Sequence, residues 1–193
     1  MEKGKRIMME ARPEPVLRFD CIEELETFLE RSAAVQGEMP GLSELDHGLQ
    51  CAAELAAIAP EDSELQIAGL VHDVCHAELH IDAHDKVGAA AVRGILGERV
   101  AALVGLHVAA KRYLISTDAD YAACLSPIST KTLALQGGAM TADEVAAFAA
   151  SPHAREAVLL RKADEAAKSP GRVVPGLDHW RPALRQIASR YAG

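Results

Sequence analysis

Residues 67–74 read Ile67-Ala68-Gly69-Leu70-Val71-His72-Asp73-Val74, an apolar run interrupted only by an imidazole and a carboxylate. Ser63 and Gln66, at capping-box spacing, predict that this run belongs to a helix reaching about His76. An ionised aspartate in so apolar a helix is costly unless a partner or a metal ion compensates it. That cost is the first sign of a bound cation.

Outward from this segment the chain reads as helix after helix. Asp20 is placed to cap one through about Arg31, with Ile22, Leu25, Phe28 and Leu29 on one face. Ser43 opens another, which runs to about Ala59 and stops at Pro60. Further helices are expected over Lys86 to Leu96, Glu98 to Leu114, Ala119 to Leu125 and Pro127 to Gln136, after which Gly137-Gly138 breaks the chain. Thr141 and Glu144 form a second capping box, for a helix ending near Ser151-Pro152. His153 to Lys168 is a long helix stopped by Pro170-Gly171, and a last one runs from about His179 to Tyr191 with Pro182 in its first turn. No stretch alternates with period two for long enough to make a strand, so the expected class is all-α.

The 193 residues, 49% apolar and 25% charged, suit one globular domain over 17–193, preceded by a charged, proline-punctuated arm over 1–16 that does not read as a secretory leader. With 20 Lys+Arg against 28 Asp+Glu, the net charge of −8 argues against a sequence-independent grip on nucleic acid. The longest apolar run, Ala101 to Ala110, is too short to span a bilayer and contains His107, so no membrane partner is expected. Four cysteines, at 21, 51, 75 and 124, form no CxxC pair and read as reduced packing thiols of a cytoplasmic protein.

The chemistry-bearing residues are His47, His72-Asp73, His84, His107 and Asp164. No HExxH and no cysteine cluster is present; each group comes from a different helix or helix end, as a metal site in a bundle core requires. Nitrogen and oxygen donors without thiolate suit Fe, Mn, Co, Ni or Zn better than Ca. Taken singly, a buried His or Asp is more often a satisfied structural group, and residue types alone stop at a helical domain with a candidate metal site. Lys111 lies four residues after His107 and Arg161 three before Asp164, so each cation shares a helix face with a candidate ligand. Ser126, Ser129 and Thr132 recur at three-residue spacing near the start of the Pro127 helix, where hydroxyls, helix N–H groups and the two cations compose an anion cradle. Solvated surface charge and helix capping are the competing readings of these five residues. His80, His153 and His179 read as surface or capping groups, Trp180 as a packing residue.

His47, the His72-Asp73 dipeptide and Asp164 resemble the H…HD…D signature of the HD-domain superfamily, and His76 completes its common HDxxH extension. His84 and His107 resemble the two additional histidines of its dinuclear members. The resemblance extends to Leu45-Asp46-His47-Gly48-Leu49-Gln50-Cys51-Ala52, His107-Val108-Ala109-Ala110-Lys111-Arg112-Tyr113-Leu114, Leu125-Ser126-Pro127, Leu135-Gln136-Gly137-Gly138, Ala166-Ala167-Lys168 and Val174-Pro175-Gly176-Leu177. Through these stretches the chain is similar to the mixed-valent diiron oxygenases that cleave organophosphonates. That resemblance implies a helical bundle around an Fe(II)/Fe(III) pair. His47, His72, Asp164 and a shared Asp73 would hold one iron, and His84, His107 and Asp73 the other. His76 would orient the imidazoles, while Asp73, His76 and Lys111 would stand at the reacting centre.

The resemblance further implies that Lys111, Arg161, Ser129 and Thr132, with Ser126 beside them, bind a small anionic substrate. O2-dependent cleavage of the C–P bond of a 1-hydroxyphosphonate would then release phosphate and a carboxylic acid. The family carries a tyrosine in the loop before its first histidine, covering the second iron. Here that loop, Ala34-Val35-Gln36-Gly37-Glu38-Met39-Pro40, has none, and Glu38 is the residue left to take part of its role. The segment from His76 to His84 is also shorter than in many relatives. Two other readings use the same residues: a metal-dependent phosphohydrolase acting on a small phosphate ester or nucleotide, and a metal-stabilised sensor without chemistry.

Overall fold

The chain's architecture comes from a computed structural model that describes residues 17–76 and 83–191; the expected arm over 1–16 and His80 lie outside the described residues. The described residues form helices and no named strand: α1 (Ile22–Ser32), α2 (Glu44–Ile58), α3 (Ser63–Val71), α4 (His84–Thr117), α5 (Ala119–Cys124), α6 (Pro127–Leu135), α7 (Ala142–Ala149), α8 (Ala154–Ala166) and α9 (Leu177–Ala188). The molecule is all-α.

Where the caps follow expectation, the hydrogen bonds say why. The Ser43 hydroxyl accepts the Asp46 N–H at 3.0 Å, and Thr141 with Glu144 closes a complete capping box. Two caps differ. Cys21, not Asp20, stands at the N-cap of α1 without a side-chain cap, and the Glu24 carboxylate instead accepts the Asp20 N–H at 2.8 Å. At α3 the cap is Asp62, whose Oδ1 accepts the Leu65 N–H at 3.1 Å; Gln66 reaches back to the Ala59 and Pro60 carbonyls rather than closing a box with Ser63.

The α3 helix also ends at Val71, short of His76. His72 Nδ1 binds the Gly69 carbonyl at 2.8 Å, an acceptor that a continuing helix would offer to the Asp73 N–H. The chain turns there, and Asp73 leaves the helix axis. The two helices expected on either side of Gly97 run on as α4, with Gly97 itself at φ 82 and ψ 175 as the kink between its halves. The left-handed φ requires glycine, and a Cβ there would overlap the Tyr191 ring at 2.1 Å. His153 takes φ 63 ahead of α8 rather than lying within it, and α9 starts at Leu177.

Helices α2, α3, α4 and α8 pack on one another around Leu55, Leu65, Ile67, Val71, Leu103 and Leu160, all essentially without exposure. Glycines let α2 and α3 approach closely: a Cβ on Gly48 would sit 2.4 Å from the Leu70 carbonyl oxygen, and one on Gly69 2.4 Å from Leu55 Cδ1. The α9 helix lays Trp180, Leu184 and Ile187 into the core, while Glu26 of α1 ties Arg181 at 2.5 Å and Arg185 at 2.8 Å. No described helix is long and apolar enough to cross a membrane.

Candidate metal centre and anion pocket

Four elements deliver the candidate ligands to one point. His47 lies in the first turn of α2, His72 and Asp73 in the turn that ends α3, His84 and His107 on the two halves of α4, and Asp164 near the end of α8. Three imidazoles are aimed by the backbone. His47 Nδ1 meets the Ala167 carbonyl at 3.0 Å, His72 Nδ1 that of Gly69 at 2.8 Å, and His107 Nδ1 that of Val104 at 2.7 Å. A carbonyl only accepts, so each Nδ1 carries a hydrogen and each ring turns its Nε2 inward, the atom that a neutral imidazole would offer to a metal.

The Nε2 atoms converge on the two oxygens of Asp73. Its Oδ2 lies 3.6 Å from His47 Nε2 and 3.3 Å from His72 Nε2, with Asp164 Oδ1 closing this group at 3.2 and 3.7 Å from the same nitrogens. Its Oδ1 faces the other way, 3.5 Å from His84 Nε2 and 3.6 Å from His107 Nε2, which are 3.0 Å from each other. Each of the groups His47–His72–Asp73 and Asp73–His84–His107 holds its donor atoms within 4.8 Å, the arrangement of a site that can hold a metal ion. Among the described residues His72 Nε2, fully buried, has no hydrogen-bond partner, an arrangement that a bound cation would satisfy. The residues present fit a metal pair joined by Asp73.

Electrostatics agree. Burial opposes a charge on His72, yet the Asp73 carboxylate outweighs it and holds the imidazole well above its usual range. Burial likewise opposes the Asp73 charge, and His72 with His47 outweighs it, keeping the carboxyl well below its ordinary value. His107, desolvated and beside His84, is pushed well below the usual imidazole range.

His76 stands beside this group rather than behind it. Its Nε2 lies 3.2 Å from Glu38 and its Nδ1 3.1 Å from Glu44; hydrogen bonds donated to these two carboxylates favour the charged ring and raise it to about 11. Its ring meets His84 edge-on, with centroids 5.3 Å apart. Backbone carbonyls, not His76, orient His47, His72 and His107. The loop carrying Glu38 is tied to itself: the Gln36 amide donates to the Met39 and Leu42 carbonyls at 2.7 and 2.9 Å, and the Gly37 N–H to Leu42 at 2.9 Å.

A cavity of about 560 Å³ opens over the centre. His47, Asp73, His84, His107 and Asp164 form its floor, Lys111, Ser129, Thr132, Arg161 and Lys168 one wall, and Val35, Glu38, Met39, Lys131 and Leu135 contribute to the rest of its lining. Lys111 Nζ donates to Thr132 Oγ1 at 2.9 Å; desolvation and the charges of Arg161 and Lys168 push the amine down to about 7. Arg161 donates Nε–H to the Tyr121 hydroxyl at 2.7 Å and Nη2–H to Ser129 Oγ at 3.0 Å, and it pairs with both Asp164 and Glu165. Ser126 is not part of the cavity lining: its hydroxyl caps α6, and its N–H donates to Glu165 Oε1 at 2.7 Å. The α6 N-terminus, read from sequence as part of an anion cradle, thus already holds a carboxylate of the chain itself.

Four residues of this arrangement escape the sequence reading as site residues: Lys168, Glu165, Glu44 and Tyr121. Lys168 and Glu165 had a signal, since Lys168 lies four residues after Asp164 and Glu165 four after Arg161 on one helix face. Glu44 lies three residues before His47, but Tyr121 reaches Arg161 only through the tertiary fold.

The chain is 39% identical over 150 residues to the hydroxymethylphosphonate dioxygenase of Gimesia maris, covering 72% of this chain and 74% of that enzyme. It is 30% identical over 158 residues, 77% of this chain and 80% of the relative, to the 1-hydroxy-2-(trimethylamino)ethylphosphonate dioxygenase (glycine-betaine-forming) of Leisingera caerulea. An uncharacterised protein of Acanthamoeba polyphaga mimivirus is 30% identical over 160 residues, 76% of this chain and 72% of its own length. No protein-family profile matches the chain.

Proposed function

The chain belongs to the HD-domain phosphonate dioxygenases, and from that premise we propose that it is an iron- and O2-dependent oxygenase cleaving the C–P bond of a small 1-hydroxyphosphonate. The observation that carries this reading is the division of Asp73: one oxygen faces His47 and His72, the other His84 and His107, directly under a cavity walled by cations. His47, His72, Asp164 and Asp73 would hold one metal, and His84, His107 and Asp73 the second. A mixed-valent iron pair bound there would supply O2 activation and the oxidation of carbon, chemistry that amino-acid side chains lack.

The protein's own share is placement. Lys111, with its amine hydrogen-bonded to Thr132, is the donor best placed to take the phosphonate oxygens, because it lines the cavity without a carboxylate within ion-pairing distance among the described residues, and an incoming anion would favour its protonated form. An anion drawn to Lys111 lies on the same wall of the cavity as Arg161 and Lys168, which fixes the phosphorus end and leaves the hydroxyl-bearing carbon over the metal floor. Val35, Met39 and Leu135 add apolar surface that reduces water's access. His76, with both ring nitrogens engaged by Glu38 and Glu44, packs its ring edge against His84 and so would brace the second metal group.

The test is anaerobic loading with Fe(II), then O2 and a panel of 1-hydroxyphosphonates, with phosphate release and O2 uptake followed together. Phosphate release that requires both iron and O2 is the expected result. A fully loaded diiron site that releases no phosphate from any member of the panel would overturn the reading. Release of phosphate from phosphate esters without O2 would establish the hydrolase in its place.

A further inference from the structure

Glu165 has no place in the chemistry described above, and it does not line the cavity, yet the anion-binding wall is built around it. Its Oε2 accepts from Ser129 Oγ at 2.8 Å and Lys168 Nζ at 2.9 Å and pairs with Arg161, while Oε1 accepts the Ser126 N–H at 2.7 Å. Ser129 has one hydroxyl hydrogen, and it goes to Glu165. Toward its other neighbours the same oxygen accepts, from Lys168 at 2.7 Å and Arg161 Nη2 at 3.0 Å. Three of the groups read from sequence and structure as anion ligands therefore point their donors at a carboxylate of their own chain.

Arg161 and Lys168 held this closely, with Lys111 across the same wall, repel one another and lose hydration in so buried a place. A carboxylate among them keeps the cluster together. It also competes with any incoming anion for the same hydrogen atoms. We propose that Glu165 is the positioning residue of the anion wall, an internal counter-ion that organises Arg161, Lys168 and Ser129 and weakens the hold on the phosphorus end of the substrate and on the phosphate product. The inference rests on the oxygenase reading for the identity of that anion, and it deepens that reading by naming what sets the affinity. A wall without Glu165 would hold phosphate too firmly to let it go.

The proposal differs in sign from a purely structural role. A scaffold residue, when removed, would let the cations scatter and anion binding fall. A counter-ion, when neutralised, frees donors and raises the positive potential, so anion binding rises. Glu165→Gln keeps the shape and one acceptor oxygen, enough for either the Ser126 N–H or the Ser129 hydroxyl, while removing the charge. In the metal-loaded protein it is expected to bind inorganic phosphate, measured by calorimetry, about tenfold more tightly than wild type. Product inhibition should strengthen by a similar factor, and KM for the substrate should fall without a gain in kcat. Glu165→Asp, which keeps the charge but withdraws it by one methylene, should fall between the two, and it serves if the Gln variant does not fold. Phosphate affinity unchanged or weaker in the folded variants would overturn the proposal. If the wild-type enzyme releases no phosphate from any phosphonate, the oxygenase reading fails instead; the role of Glu165 is judged by phosphate affinity alone.

Discussion

Asp73 is where the metal reading is most exposed to test at the scale of one residue. Among the described residues it is the one side chain whose oxygens face both donor groups, so its removal would act on both proposed metals, whereas the loss of His107 would touch only one. Asp73→Ala is expected to leave well under one metal per chain, and His107→Ala to leave about one, each counted by elemental analysis of the loaded, desalted protein. Equal metal content in the two variants would show that Asp73 does not join the sites. The floor of the cavity was legible because its residues carry chemistry in their side chains: an imidazole or carboxylate in an apolar helix announces a cost that something must meet. The wall was less so. Arg161 is recognisable as a cation beside Asp164, but its engagement with Tyr121 and Ser129 depends on where α5 and α6 lie against α8.

Among the helices, the junction of α2 with α3 sets the spacing of His47 and His72. Gly48 faces the Leu70 carbonyl across that junction, and a Cβ placed 2.4 Å from a backbone oxygen cannot be relieved by a side-chain rotation. Gly48→Ala is expected to destabilise the fold by about 2–3 kcal/mol and to weaken metal binding with it. Gly94→Ala, on the open face of α4 with nothing within 4 Å, should stabilise by about 0.5–1 kcal/mol through helix propensity alone. Thermal melts of both variants check the pair. The start of α3 has its own device: Asp62 caps Leu65 and binds Arg99 of α4 through both oxygens, at 2.7 and 2.6 Å.

The hydrogen bond from Arg99 outweighs partial burial and lowers the Asp62 carboxyl below its ordinary 3.8. Its folded value thus lies under its unfolded one. The contribution is present above pH 3.8 and is lost as pH falls through the folded value. Asp62→Ala should cost about 1–2 kcal/mol near neutrality, most of it the cap since the ion pair is partly solvated, and the gap from wild type should close in strong acid. Sequence reading assigned this cap to Ser63, one residue late, because a serine with Gln66 three positions on satisfies the capping-box pattern; only the approach of Arg99 from α4 reveals why Asp62 holds the position. The early end of α3 at Val71 was hidden as well, since the apolar pattern runs past it to Val74, interrupted only by His72 and Asp73.

For the molecule as a whole, the metal centre is also the place where distant parts of the chain meet. His47 from α2, Asp73 after α3, His84 and His107 from α4 and Asp164 from α8 draw together the four helices that build the core. The helical class could be read from capping residues, proline and glycine stops and the lack of period-two alternation, because those signals are local. The assembly could not, since four helices of ordinary apolar pattern can pack in several ways, and the close approaches at Gly48 and Gly69 are visible only once they have packed. Folding and metal binding are therefore linked: the unfolded chain has the same donors but scatters them, so the cation binds the native state far better. For a metal at about a thousand times its dissociation constant, that linkage amounts to about 4 kcal/mol. In a chain of this size it corresponds to a shift of roughly 10 °C. Chelation of the loaded protein is expected to lower the midpoint of thermal unfolding by about that amount, and added Fe(II) under anaerobic conditions to restore it in a concentration-dependent way. Asp73→Ala should melt near the chelated protein and respond to neither treatment, because the residue that joins the two donor groups is gone. A chelator that leaves the wild-type midpoint unmoved would mean that helix packing alone holds these ligands in place.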